Sequence, residues 1–231
     1  IGSLDVYAYI WCAIDEGYQI VLTGEEDNFL ITNTIAQLYP DKKIITVQSV
    51  DNLTLAQKNW IKRIALEDTQ VSKKLIINQS ISEKPDYLIV DHFIPEFFET
   101  PWYNLSMLSI DKKLLDEYVE KSKLININLL VIQLNRVKQS KNQQQTQFSE
   151  IKEICKGKEY SVIEFNDSES EFHINLLSSN IDLVSFTKKK KLLRWLIDSK
   201  ISNYKDFNSI INDYYLDRDK LFEKLGLLEE K

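Results

Sequence analysis

His92 and His173, Cys12 and Cys155 are all the imidazoles and thiols in this 231-residue chain. The cysteines are far apart and show neither metal-ligand spacing nor a disulfide framework. Two histidines cannot build a histidine-cluster metal site, so no metal centre is expected. The other residues capable of chemistry close short apolar runs. Asp91 and His92 follow Tyr87–Val90; there an acid could hold a metal ion and an imidazole could act as a general base. The plainer readings, a solvated strand-end acid and a structural rim histidine, are the expected ones. Ser109 could be a nucleophile, but no acid completes a triad with it and His92, and no G-x-S-x-G turn presents it. Gln48 and Ser49 follow a second apolar run, and Gly24 ends a third.

The elements that must position these residues follow from apolar periodicity and breakers. Leu4 to Glu16 reads as a helix stopped by Gly17, and Gln19 to Thr23 as a short buried strand. Phe29 to Tyr39 reads as a helix ended by Pro40, and Lys43 to Val47 as the next strand. A loop and an ambiguous stretch precede the strand at Tyr87–Val90. A helix near Lys112 to Lys123 and a strand at Leu129 to Leu134 come next, then a polar, glutamine-rich loop over Lys138–Gln147. Glu150–Ile154 and Tyr160–Phe165 read as the strands of a hairpin. Lys188 to Leu228 reads as three helical segments broken near Ser202 and Leu216. The run Lys188–Lys191 is expected to be the solvated first turn of a helix whose Leu192, Leu193 and Leu196 face the core. Short apolar strands alternating with helices imply parallel, right-handed α/β units.

Composition narrows the functional classes. Hydrophobic residues make up 43% and charged residues 28%, ordinary for a globular protein. The net charge of −6 argues against a nucleic-acid footprint spread over the whole chain. No apolar run approaches the ~18 residues of a membrane span and no signal-peptide pattern opens the chain, so a cytoplasmic location is expected. The chain opens on Ile1 and has one methionine, Met107. It is read as a piece of a longer or processed protein, with Ile1–Ser3 a candidate tag remnant. Glycine is scarce: 5 residues, where average usage gives about 16. No window has the clustered glycines of a phosphate-cradling loop.

Taken in order, several segments resemble the motor domain of the type II and type IV secretion ATPases, especially the archaeal pilus and archaellum assembly ATPases. Asp15–Gly24 resembles the helix-to-strand entry to the family's phosphate loop. Ile44–Leu53 resembles its acidic "IEDTPEL" segment, Asn59-Trp60-Ile61 its "NWI" segment, and Lys84–Val90 its Walker-B-like strand. Asn104–Asp111 stands where the family has a "STIHAD"-like stretch. Leu192–Tyr215 resembles its C-terminal helices. The resemblance covers most of the chain and implies a RecA-like P-loop core, a parallel sheet flanked by helices, here with a β-hairpin and a C-terminal helical segment. It further implies a degenerate ATPase domain over residues 1–187, a helical extension over 188–231, and a missing N-terminal part.

The nucleotide positions depart from the family pattern. Counted from Gly24, a G-x-x-x-x-G-K-[ST] loop would place glycine, lysine and a hydroxyl where this chain has Phe29, Leu30 and Ile31. Thr32 comes one position late, about 100° further around a helix. Glu25, Glu26 and Asp27, followed by Asn28, put carboxylates where loop amides would cradle phosphate, and like charges repel there. The family's carboxylate pair falls on Gln48 and Ser49. Its Walker-B glutamate falls on His92, with Asp91 the one acid there, and its histidine on Ser109 or Ile110. Arg63 matches a family basic position. The resemblance with these departures implies a pseudo-ATPase without ATP or magnesium. Such a subunit would bind protein partners: an active ATPase paralogue, a membrane platform protein at the inner face of the membrane, or a second copy. A weak nucleotide sensor, a divergent ATPase, and an unrelated enzyme using Asp91, His92 and Ser109 are the alternatives.

Overall fold

A computed structural model describes residues 4–24, 28–65, 73–99, 105–136, 159–165, 182–201 and 203–228. Helix α1 (Leu4–Asp15) has nine consecutive buried residues, Val6 to Ile14. A helix that is apolar on every side must be covered on every side. It ends where Gly17 takes a φ of 81°. The Gly17 N–H donates to the Ile14 carbonyl and the Tyr18 N–H to the Ala13 carbonyl, at 2.9 and 2.8 Å. This left-handed exit is strained for any residue with a β-carbon, and it turns the chain straight into strand β1 (Gln19–Gly24).

The strands β2 (Ile44–Gln48), β3 (Trp60–Ile64), β4 (Tyr87–Phe93), β5 (Met107–Ile110), β6 (Leu129–Arg136) and β7 (Glu159–Phe165) join β1 in a seven-stranded sheet. Its order is β3-β2-β4-β5-β1-β6-β7, and every adjacent pair is parallel. Strand β1 lies inside the sheet, with β5 inserted between it and β4. The stretch β6-β1-β5-β4-β2 has the RecA-like strand order, extended by β3 and β7 at the edges. Parallel sheets need cover on both faces, and the buried residues fall into two clusters accordingly. On one face Ile20, Leu22, Ile44 and Met107 pack with α1, α2 (Asn28–Gln37), α5 (Leu183–Asp198), α6 (Tyr204–Leu216) and α7 (Arg218–Lys224). On the other, Val21, Ile45, Val47, Val90 and Leu108 pack with α3 (Lys73–Ser82) and α4 (Lys112–Leu124). The period of two along β1, with Ile20 and Leu22 on one side and Val21 on the other, assigns each residue its layer.

Three sequence expectations change. The ambiguous stretch before Tyr87 contains strand β3 and helix α3. Tyr160–Phe165 forms β7 together with Glu159, but pairs in parallel with β6, while its expected hairpin partner at 150–154 lies outside the described residues. The third change concerns the lysine run. Helix α5 begins at Leu183, capped by the Asp182 carboxylate, which accepts from Val184 N and Ser185 N. Lys188–Lys191 therefore lies within the helix rather than in its first turn. Nor is the run solvated throughout: Lys189 is 2% exposed and meets Asp15 of α1 at 2.5 Å. Lys188 reaches Asp219 of α7 and Lys190 reaches Asp5 of α1. The run braces helices against one another.

The Lys189–Asp15 contact is the centre of a polar knot in this core. Asp15 also accepts from the Tyr39 hydroxyl at 3.0 Å and, more weakly, from Tyr215 at 3.4 Å. The Trp11 indole N–H donates to the Tyr215 oxygen at 2.7 Å, and the Lys189 ammonium lies 5.2 Å from the Trp11 ring centre. Among the described residues no helix is long and apolar enough to cross a membrane.

Removing one partner of a buried ion pair strands the other charge, at about 3–5 kcal/mol. Asp15→Ala leaves the buried Lys189 uncompensated and is expected to fall in that range by urea denaturation. Lys189→Met leaves Asp15, which is 27% exposed and already bonded by two tyrosines, so it should cost less. Equal losses would contradict this asymmetry. Burial also pushes the Tyr39 and Tyr118 hydroxyls well above the usual tyrosine range. Above about pH 10 the unfolded chain releases these protons while the folded chain retains them. Stability should then fall with rising pH, by up to ~1.4 kcal/mol per unit for each tyrosine. Denaturant midpoints measured from pH 8 to 11 test the slope.

Candidate functional site

The carboxyl edge of a parallel sheet is where α/β folds bind ligands, and the sequence-predicted residues converge there. The register sets Leu22 of β1 beside Ser109 of β5 and Val47 of β2 beside Val90 of β4, so Gln48 and Asp91 follow as neighbours. Between β4 and β5 the pairing jumps from Val90↔Leu108 to Phe93↔Ile110. Asp91 and His92 thus share the place opposite Ser109. Such an extra residue bends its strand and re-aims a side chain. Here Asp91 turns toward the β2 side and is nearly buried, Phe93 is sealed in the core, and His92 is exposed.

Asp91 is held on both oxygens. Its Oδ2 accepts from the Ser49 backbone N–H at 2.5 Å, and its Oδ1 lies 3.3 Å from the Ser49 hydroxyl. The Lys73 ammonium reaches Asp91 Oδ1 at 2.9 Å and Ser49 Oγ at 2.7 Å. The side chains of Lys73 and Asp91 are 10% and 5% exposed, so the pair is poorly hydrated and weakly screened by salt. Lys73 is the first residue of α3, an unfavourable place for a cation near a helix N-terminus, and the Asp91 carboxylate compensates it. The expected solvated acid is instead one half of a nearly buried ion pair, and the partner lysine sits in the stretch the sequence left ambiguous.

Gln48 is fully buried. Its carbonyl oxygen accepts from the N–H groups of Asn52 and Leu53, at 3.2 and 2.9 Å. Its amide donates to the Thr46 hydroxyl at 2.9 Å, which also accepts from the Trp60 indole N–H at 2.9 Å. Its oxygen thereby holds the loop after β2, while its amide nitrogen, through Thr46 of the same strand, joins the network that reaches Trp60 on the edge strand. Arg63 pairs with Glu83 at the end of α3. Ile31 is 1% exposed within the core on the α1 side, and Thr32 is buried too. Gly24 ends β1 and Asn28–Leu30 begin α2; Glu25, Glu26 and Asp27 lie outside the described residues. Ser109 is buried and His92 exposed, while the Asp91 carboxylate is engaged by Lys73 and Ser49, so the three do not assemble as a relay. Among the described residues no group of three or more His, Cys, Asp or Glu side chains could hold a metal ion.

No family model matches this sequence, and no curated protein matches it. Among solved structures, the VirB11 ATPase of the Brucella suis type IV secretion system, determined in complex with sulphate, is similar at 16% identity with a TM-score of 0.45. The match covers 82% of this chain and 55% of that one, so the present chain spans little more than half its length. A likeness of this size bears no functional weight. The class rests on the sheet itself: a parallel α/β fold with RecA-like strand order.

Because the Lys73–Asp91 pair is nearly buried, breaking it from either side should be costly and removing both charges should not be. Lys73→Met is expected to destabilise the fold by about 3–5 kcal/mol. Lys73→Met/Asp91→Asn should recover most of that loss, because asparagine still accepts from Ser49. A double-mutant cycle in urea measures the coupling; a coupling near zero would place the pair among weak surface bridges.

Proposed function

We propose that this chain is a catalytically inactive pseudo-ATPase serving as a structural, partner-binding subunit of a type IV pilus-like or secretion machinery. The observation that carries this reading is the position of Ile31. The family resemblance assigns that position to the hydroxyl that holds magnesium, and in this chain it is an apolar side chain inside the core. An ion held there would lack a ligand, and exposing the residue to one would open the helix-to-sheet packing. Gln48 supports the same reading. It stands where the family has an acid, and both ends of its amide are engaged within the fold, the oxygen by the loop after β2 and the nitrogen by Thr46. These residues do not fit a magnesium–nucleotide complex.

What the chain keeps is the architecture: the buried parallel sheet, the covered central helix and the helices at its C-terminal end. A module of this kind acts through shape and surface. The partners proposed are an active ATPase paralogue, a membrane platform protein, or a second copy of this chain.

Magnesium-dependent ATP hydrolysis by the intact protein is expected to be absent. Calorimetric titration with ATP and ADP is expected to show no binding tighter than about 100 μM, or −5 to −6 kcal/mol. Tighter binding without turnover would instead indicate a nucleotide sensor, and turnover would indicate an ATPase with divergent motifs. Solution mass with and without a candidate active paralogue tests the partner role, a stable mixed assembly being the supporting result.

A further inference from the structure

We infer that the Lys73 ammonium permanently takes the place beside Asp91 that a divalent cation would occupy, so that this edge of the sheet is closed to metal and insensitive to it. The inference rests on the pseudo-ATPase reading, because that reading makes Asp91 the acid at the Walker-B end of β4. Three observations support it. First, the ammonium contacts oxygen from two elements at once, Asp91 Oδ1 on β4 and Ser49 Oγ after β2. It bridges the strand ends as a coordinated ion would. Second, the oxygens a metal would need are already engaged. Asp91 Oδ2 accepts from the Ser49 N–H, and Gln48 Oε1 accepts from Asn52 and Leu53. Magnesium demands about six oxygens at roughly 2.0–2.1 Å; the two that converge here, Asp91 Oδ1 and Ser49 Oγ, are held by the ammonium, and a hydrated ion could use them only once it is gone. Third, the ammonium brings one positive charge to the Asp91 carboxylate, whereas a divalent ion added beside it would bring two more.

The consequence is regulatory. In a motor whose metal and nucleotide come and go, the carboxylate at this position experiences two electrostatic states. A covalently attached cation allows one. The strand ends β2 and β4 and the N-terminus of α3 are therefore held in a single arrangement, independent of nucleotide and magnesium supply.

Manganese alone is a sufficient probe, read by paramagnetic broadening of individual amide NMR signals on the whole chain. Exposed carboxylates elsewhere supply an internal reference for nonspecific binding. In the wild-type protein, Mn²⁺ is expected to leave the Ser49 and Asp91 signals no more affected than that reference. Lys73→Ala should make those signals broaden at Mn²⁺ concentrations at least tenfold lower, and Lys73→Ala/Asp91→Asn should abolish the gain. Lys73→Arg, which keeps the charge, should behave as wild type. Specific broadening at Ser49 and Asp91 in the wild type would overturn the inference, as would a folded Lys73→Ala with no gain. Should Lys73→Ala fail to fold, the wild-type titration paired with Lys73→Met/Asp91→Asn decides, since wild-type broadening that disappears in the double variant refutes the inference and the absence of wild-type broadening supports it. The metal readout is separate from the nucleotide assays. Manganese bound at Asp91 without turnover would sink this inference and leave the pseudo-ATPase reading standing. Turnover would sink that reading instead.

Discussion

Helix α1 must be covered on all sides, and much of the architecture answers that requirement. Nine consecutive residues, Val6 to Ile14, leave it no face for water. The sheet covers one side through Ile20, Leu22, Leu130 and Ile132, and α2 and the C-terminal helices cover the rest through Ile35, Leu192, Leu196, Ile211 and Tyr214. Burial at ~25 cal/mol per Å² of apolar surface is large but non-directional. It draws the C-terminal helices onto α1 without specifying their rotation. Direction comes from Lys189, whose polar partner among the described residues, Asp15 on α1, sets α5 in one register.

The same device recurs across the sheet. Lys189 lies on the α1 face and Lys73 at the carboxyl edge, and each presents a nearly buried ammonium to a carboxylate from another element. Neither pair adds much net stability over apolar substitutes, because desolvation offsets the attraction. Each makes misdocking expensive, since a misplaced helix would bury an unpaired charge. The two sites differ in their surroundings. Asp15 sits among tyrosine hydroxyls and an indole, the Tyr214 hydroxyl nearby being pushed up to about 12 by burial, and keeps some access to water. Asp91 has Ser49 and Lys73, and the cation is built into the chain.

The elements were legible where their signal was local. The apolar runs of β1, β2, β4 and β6 stand out because each is buried on both faces. The Gly17 stop and the breaks near Ser202 and Leu216 were legible because helix termini have a side-chain chemistry of their own. Strand β3 was obscured by its position at the edge. From Ile61 to Ile64 its residues alternate between half-buried and exposed, Lys62 and Arg63 meet partners outside the strand, and its run is short. The lysine run misled for a related reason. Four adjacent charges imply a solvated turn, and nothing in their spacing shows that one of them meets an acid 174 positions away.

For the candidate site, the sequence by itself determined which side chains stand at the strand ends: Gly24 without a following Gly-Lys-Ser/Thr, Gln48 and Ser49 in place of acids, and Asp91 before His92. It also determined that Ile31 would be apolar. The tertiary structure decided what those side chains do. Gln48 became a loop tie, Ile31 a core residue, and Asp91 the partner of a lysine 18 positions earlier. The physical reason is that residue type and spacing govern local geometry and the two periodicities of helix and strand. Charge compensation depends on which elements the parallel crossovers bring to one sheet edge, and on how far each site is removed from water.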